Sequence, residues 1–284
     1  RSSDLHALLL RGQSGIGKLD FAISLSQALL CEQVNSTHQA CGVCPSCGWF
    51  EQDNHPDFRL ISPEQDASKD DENSTKSTKK RTQIVIEQIR GLSEFLSLSS
   101  HKSDGLRIVA IHPAEGLNAA AANALLKMLE EPPPNVIFIL VAHQAHKILP
   151  TIMSRCQKID MPVPSTEDAL AWMKQEGIQA AEVMLSYAGG SPLMATDEAE
   201  EGVLASIEIC KLLSHGPKSD LFHLSTACLA LGMENAINAL QKWSYDLLLC
   251  HFTQKVRYHQ SQEGVIKKLA HQLNLSALLD FQKM

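Results

Sequence analysis

Up to residue 160 the apolar positions come in short blocks parted by polar and glycine-rich stretches; beyond it they follow longer helical spacings. Leu5 to Leu10 is a short apolar run ahead of a glycine-rich loop and predicts a strand. Over 18–31, Phe21, Leu25, Ala28 and Leu29 share one helical face, so strand, loop and helix follow in that order. Residues 84–98 predict a second helix, with Ile86, Ile89 and Leu92 or Ser93 on one side. Leu106 to Ile111 and Val136 to Ala142 are apolar and rich in β-branched residues, the pattern of buried strands. Between them Asn118 to Glu131 predicts a helix, capped by Asn118 and stopped by Pro132, Pro133 and Pro134. Strands alternating with helices indicate a parallel α/β sheet.

The pattern changes near Pro162 and Pro164, after which nothing reads as a strand. Residues 166–201 read as a small helical unit interrupted by Gly189, Gly190, Ser191 and Pro192, and 203–284 as longer amphipathic helices. The expected domains are therefore 1–162, 163–202 and 203–284. Residues 64–82, polar and rich in serine and lysine, read as a flexible loop inside the first domain.

Composition narrows the class. A chain of 284 residues, 44% hydrophobic and 20% charged, is long enough for two or three domains and has an ordinary globular balance. A net charge of −7 argues against a main duplex-gripping surface, which works by neutralising phosphates. The longest useful apolar run, 136–142, falls short of the ~20 residues of a membrane span. Arg1-Ser2-Ser3-Asp4 lacks both a signal-peptide pattern and an initiating Met, so this end reads as trimmed.

Residues 12–19, GQSGIGKL, fit the phosphate-loop pattern GxxxxGK between a strand and a helix. Gly12, Gly15 and Gly17 would let backbone N–H groups face a phosphate, and Lys18 would reach its terminal oxygens. The next position calls for a Ser or Thr hydroxyl on magnesium, and Leu19 has none. The strand at 106–111 should end in acids that hold magnesium and orient water, and here His112 and Pro113 follow. Glu115, two residues further, reads as a solvent-facing loop acid. The expectation is a vestigial loop kept for its shape, with no turnover and no magnesium site; the residues leave open whether it still binds ATP or ADP.

Eight cysteines without a signal peptide read as metal chemistry in a reducing cytoplasm. Cys41, Cys44 and Cys47 have two residues between neighbours, and Cys31 lies ten positions before Cys41, a set able to close a tetrahedral, structural zinc site. An iron–sulfur cluster is the alternative, and His38 or His55 could replace one thiolate, although a surface histidine is the plainer reading of each.

Two further stretches carry a resemblance: Asn123 to Pro133, with LLKxLEEPP at its heart, and Ser154-Arg155-Cys156. With the loop and the four cysteines in the same order, the chain resembles the gamma/tau and delta-prime group of bacterial clamp-loader AAA+ proteins, densely over 5–62 and 84–160. The resemblance implies a RecA-like α/β AAA+ domain, a small helical lid and an all-α collar. Leu19, His112, Pro113 and Leu193, the last at the position of a sensor arginine, point to the delta-prime branch, whose own site is degenerate. It also implies that Arg155 acts in trans on a neighbour's nucleotide, where a planar, permanently charged guanidinium stabilises transferring phosphoryl oxygens. The other reading of Arg155 is a structural arginine buried in an intrachain salt bridge.

The implied role is a non-hydrolysing, cytoplasmic component of the DNA polymerase III holoenzyme. Its partners would be a gamma/tau-type motor, the delta clamp-opening subunit and, through the complex, the sliding clamp and primed DNA. The family's helix before the first strand and the helical pattern at 276–284 make both ends read as trimmed. Two rivals stand beside this: a self-sufficient gamma/tau-like ATPase, opposed by Leu19 and His112, and a zinc-dependent nucleic-acid-binding protein, opposed by the acidic charge.

Overall fold

The computed structural model describes residues 6–63, 83–97, 105–197 and 200–273, with 275, 276 and 279. The loop expected over 64–82 and most of the helix expected over 276–284 lie outside the described residues. The chain divides into two compact units, Arg1–Pro162 and Val163–Met284. Among the described residues, no helix is long and apolar enough to cross a membrane.

In the first unit β1 (Ala7–Arg11) leads through the glycine loop to α1 (Lys18–Leu30), and α2 (Pro45–Glu51) precedes β2 (Phe58–Ile61). Next come α3 (Ile86–Ser97), β3 (Arg107–Ile111), α4 (Ala119–Glu130), β4 (Val136–Ala142), α5 (Pro150–Met153) and β5 (Gln157–Asp160). The five strands form one parallel sheet in the order β2-β3-β4-β1-β5. Strand alternation divides its core. Leu9, Val109, Ile111, Phe138 and Leu140 pack on one face with Ile89, Leu92 and Leu125 from α3 and α4. Leu8, Leu10, Ile108, Ile139 and Val141 pack on the other with Ala22 and Leu30 of α1. Asn118 caps α4 as expected, its side-chain oxygen accepting from Ala121 N at 2.8 Å.

One expectation needs correction. The buried face of α1 is Lys18, Ala22, Ser26 and Leu30, while Phe21 and Leu29 are each 43% exposed. Leu25 of the expected stripe does pack, half-buried, against this side of the core, so the buried face is turned from the apolar stripe toward Ala22, Ser26 and Leu30 and leaves the two ends of the stripe outside. The short strands β2 and β5, at the two edges of the sheet, add to the strands the sequence predicts: β2 (FRLI) is a run of only four residues and β5 (QKID) is mostly polar.

The second unit is helical among its described residues: α6 (Thr166–Gln175), α7 (Ala181–Tyr187), α8 (Pro192–Asp197), α9 (Glu200–Leu213), α10 (Leu221–Leu231), α11 (Met233–Thr253) and α12 (Glu263–Gln272). One apolar cluster centres on Met173, Met184 and Leu185, and another on Cys210, Trp243, Leu247 and Ile266. Between them Asp246 of α11 accepts backbone N–H bonds from Arg257, Tyr258 and His259 and pairs with His259 Nδ1 at 2.8 Å.

Candidate functional site

Because β1, β4 and β3 lie side by side and parallel, their carboxyl ends deliver Gly12, His143 and His112 to one edge of the sheet. This is where open α/β sheets bind ligands. Gly15 and Gly17 have φ of 74° and 84°, a left-handed backbone that glycine adopts without penalty. Gly12 is required by closeness instead: a Cβ there would lie 2.4 Å from the carbonyl oxygen of Met161. Lys18 opens α1, is 2% exposed, and donates from its ammonium to the carbonyl of Gln13. Burial lowers its pKa to about 8, with the Glu115 carboxylate pulling the other way. Lys18 is therefore still mostly charged at neutral pH, at a helix N-terminus among backbone N–H groups, which is an anion-binding arrangement. Leu19, half-buried, brings no oxygen to it.

Across from Lys18 the imidazoles of His112 and His143 meet, Nε2 to Nε2, at 2.9 Å. Burial lowers both pKa values, that of His143 to about 4, so both rings are neutral at pH 7 and one donates to the other. A hard cation such as magnesium wants oxygen ligands, and these rings offer only nitrogen. Glu115 is not the solvent-facing loop acid that the sequence suggested. Its carboxylate accepts from His143 N and Gln144 N, both at 3.0 Å, and so closes the carboxyl end of β4. An acid thus remains near Lys18 but is committed to backbone donors 28 residues and more along the chain.

Cys31, Cys41, Cys44 and Cys47 converge, with their four sulfurs all within 4.8 Å of one another. Sulfur separations are 3.8 Å for Cys31–Cys44, 3.8 Å for Cys31–Cys47 and 4.0 Å for Cys41–Cys47. Tetrahedral ligands with metal–sulfur bonds of ~2.3 Å stand ~3.8 Å apart, so the set fits a metal ion without rearrangement. Backbone N–H groups of Gln33 and Cys41 point at Cys31 Sγ, and those of Val43 and Cys44 at Cys41 Sγ, at 3.3–3.5 Å, as suits thiolates. Burial opposes ionisation of Cys44, yet hydrogen bonds from the Glu32 and Cys47 backbone and the neighbouring thiols lower its pKa to about 6. Burial and the neighbouring thiols push the Cys47 thiol up. Neither histidine belongs to the cluster: His38 is exposed, and His55, expected at the surface, is 8% exposed and bonded to Ser46 and Asp57.

Arg155 follows α5, its side chain 34% exposed. It donates to Glu130 Oε1 at 2.6 Å and to the carbonyl of Thr151 at 2.9 Å. The intrachain salt bridge is thus present, but at the surface and not buried. Cys156 beside it sits in the core, where burial raises its thiol to about 11. Leu193 is half-buried in the first turn of α8. Sequence reasoning missed Glu130 as partner of Arg155, His143 as partner of His112 and Ser46 as partner of His55. These pairings join distant segments, and no local spacing announces them.

The family model described as "DNA polymerase III, delta subunit" matches residues 3–165, which hold the loop, the cysteines and Arg155. The chain is also 31% identical to the DNA polymerase III subunit delta' of Yersinia pestis, over 98% of this chain and 80% of that protein. It belongs to the DNA polymerase III delta-prime family. The delta' subunit of Pseudomonas aeruginosa is 36% identical over 72% of this chain, and that of Escherichia coli 29% over 96%. The match spans 58% of the Pseudomonas aeruginosa relative, 56% of the Haemophilus influenzae one and 78% of the Escherichia coli one. A remote likeness, with a TM-score of 0.45 and 17% identity, extends over 99% of this chain to a solved gamma-subunit-related protein of Thermotoga maritima.

Proposed function

We propose that this delta-prime-family chain is a non-hydrolysing component of the DNA polymerase III clamp loader, one that lends Arg155 to the nucleotide site of a neighbouring motor subunit while the sliding clamp is placed on primed DNA. The observation that carries the first half is the phosphate loop: Lys18 is in place, while the magnesium-bearing positions hold Leu19, His112 and Pro113 and the two histidines bond to each other. The second half rests on Arg155, a partly exposed guanidinium whose partner Glu130 is itself half exposed. Its partners on this reading are a gamma/tau-type motor, the delta clamp-opening subunit and, through the complex, clamp and primed DNA.

The cysteine cluster is read as a structural zinc site. A closed tetrathiolate leaves no open position for substrate, and it orders a segment, 31–47, that has little apolar core besides the cysteines themselves. Residues 163–202 are assigned as the lid and 203–284 as the collar, with α9 shared between them. Val203 packs with Ala169 and Met184, and Cys210 further along the helix packs with Trp243 and Leu247. In the collar part, none of the described residues of α10 is buried, and Leu221, Phe222 and Leu229 are 74–82% exposed, a surface suited to neighbouring subunits.

Two assays test the proposal. Purified chain should show no ATP hydrolysis above that of its Lys18→Ala variant, and it should co-purify with a gamma/tau-type subunit. Hydrolysis that disappears in Lys18→Ala favours the self-sufficient ATPase instead.

A further inference from the structure

Ser46 lies between two of the metal-cluster cysteines, in the first turn of α2, and is 2% exposed. Its hydroxyl donates to the carbonyl of Leu30 at 2.8 Å, the residue just before Cys31. One hydroxyl therefore ties the segment carrying Cys31 to the segment carrying Cys44 and Cys47. The same oxygen lies 2.9 Å from His55 Nε2. Direction follows from the other ring nitrogen: His55 Nδ1 accepts from the backbone N–H of Asp57 at 3.0 Å, so in the neutral ring the proton is on Nε2, which donates to Ser46. The pair is thus no serine–histidine nucleophile, because the imidazole has no free lone pair for the hydroxyl proton.

The chain of bonds continues into the sheet. The Asp57 carbonyl accepts from Ile108 N of β3 at 3.0 Å, and its carboxylate lies 3.7 Å from Arg107 Nε, both side chains being about 5% exposed. The His55 ring is held by Phe50 at a centroid distance of 4.7 Å and by the edge of Trp49 at 5.6 Å. Ser46, His55, Asp57 and Arg107 are all buried, and the hydroxyl and the ring are each used twice.

We infer that Ser46 and His55 are positioning residues for the metal ion, keying the four cysteines to β3 so that the rigidity of the sheet, and not the cysteine loop alone, holds the ligands at binding distance. The inference rests on the metal reading of the cysteine cluster. Groups bonded to the ligands themselves are typically worth 10–100-fold in metal affinity, and these two, one bond further out, belong at the lower end, about 10-fold.

The test uses the full chain loaded with zinc under reducing conditions. Metal release to excess chelator is timed well below the melting temperature, with far-ultraviolet circular dichroism to confirm the fold. Ser46→Ala and His55→Phe should each release zinc about 10-fold faster or more, while starting from about one zinc per chain as in the parent. Ser46→Thr, which keeps the hydroxyl, should release it slowly. Ile152→Ala, in the core on the face of the sheet away from α1, should not speed release, which separates positioning from general destabilisation. Release at the parent rate from both Ser46→Ala and His55→Phe overturns the inference. If Ser46→Ala does not fold, His55→Phe decides alone by the same criterion. Parent chain that takes up no zinc removes the metal reading itself, a result visible before any variant is made.

Discussion

The Arg155 guanidinium lies 2.6 Å from the Glu130 carboxylate, so one ion pair joins the Leu129-Glu130-Glu131-Pro132-Pro133 run at the end of α4 to the Ser154-Arg155-Cys156 run after α5. Both side chains are substantially solvated, 34% and 51% exposed. Such a pair adds little stability, so its guanidinium can exchange partners cheaply. Glu130→Gln should shift the unfolding free energy by less than about 1 kcal/mol in a denaturant titration. A loss of several kcal/mol would make the pair a structural element.

The cysteine cluster predicts about one zinc per chain in freshly purified, reduced protein. Elemental analysis that finds iron, or no metal, counts against it. Removing the metal should loosen the 31–47 segment first, seen as faster amide exchange there, because its cysteines supply most of its local core.

Lys18 gives stability a definite pH dependence. Its folded pKa, about 8, lies below its ordinary 10.5, so the folded state disfavours the charged form. The penalty is complete below about pH 8 and disappears as pH rises toward 10.5, where the unfolded chain still binds the proton and the folded chain does not. Lys18→Met should therefore be more stable than the parent at pH 7, by on the order of 1–3 kcal/mol, with the difference shrinking from pH 8 upward. A difference that widens with pH would contradict the burial of a charged lysine.

Gly12→Ala should destabilise, because its Cβ would lie 2.4 Å from the Met161 carbonyl oxygen and that segment would have to move. Overpacking of this kind costs about 1–3 kcal/mol, readable as a lower melting temperature. An unchanged melting temperature would show that the segment after β5 yields freely.

The sheet was legible where strands are buried on both faces: the apolar runs at β1, β3 and β4 needed no alternation to be seen. β2 and β5 were not: Phe58–Ile61 is a mostly apolar run of only four residues, and Gln157, Lys158 and Asp160 give β5 a polar pattern. The cysteine cluster was legible because its ligands are close in sequence. The role of Glu115 was not, since its backbone donors at His143 and Gln144 become neighbours only when β3 and β4 pair. Phe21 and Leu29 misled for the opposite reason: the apolar spacing is real, but these two face solvent while Leu25 packs on the core, and the sheet takes Ala22, Ser26 and Leu30.

The most direct measurement is the DNA- and clamp-stimulated ATPase of a reconstituted clamp loader carrying Arg155→Ala in this chain. An arginine supplied in trans is typically worth on the order of 10³-fold in the site it serves. The whole complex should lose less, because its other motor sites draw arginines from their own neighbours. Arg155→Lys should rescue poorly, an ammonium lacking the planar fork. The account predicts normal assembly, unchanged zinc content and a clear fall in stimulated ATPase. Full ATPase and clamp loading from an assembled Arg155→Ala complex would contradict it, and failure to assemble would make Arg155 a structural arginine of this chain.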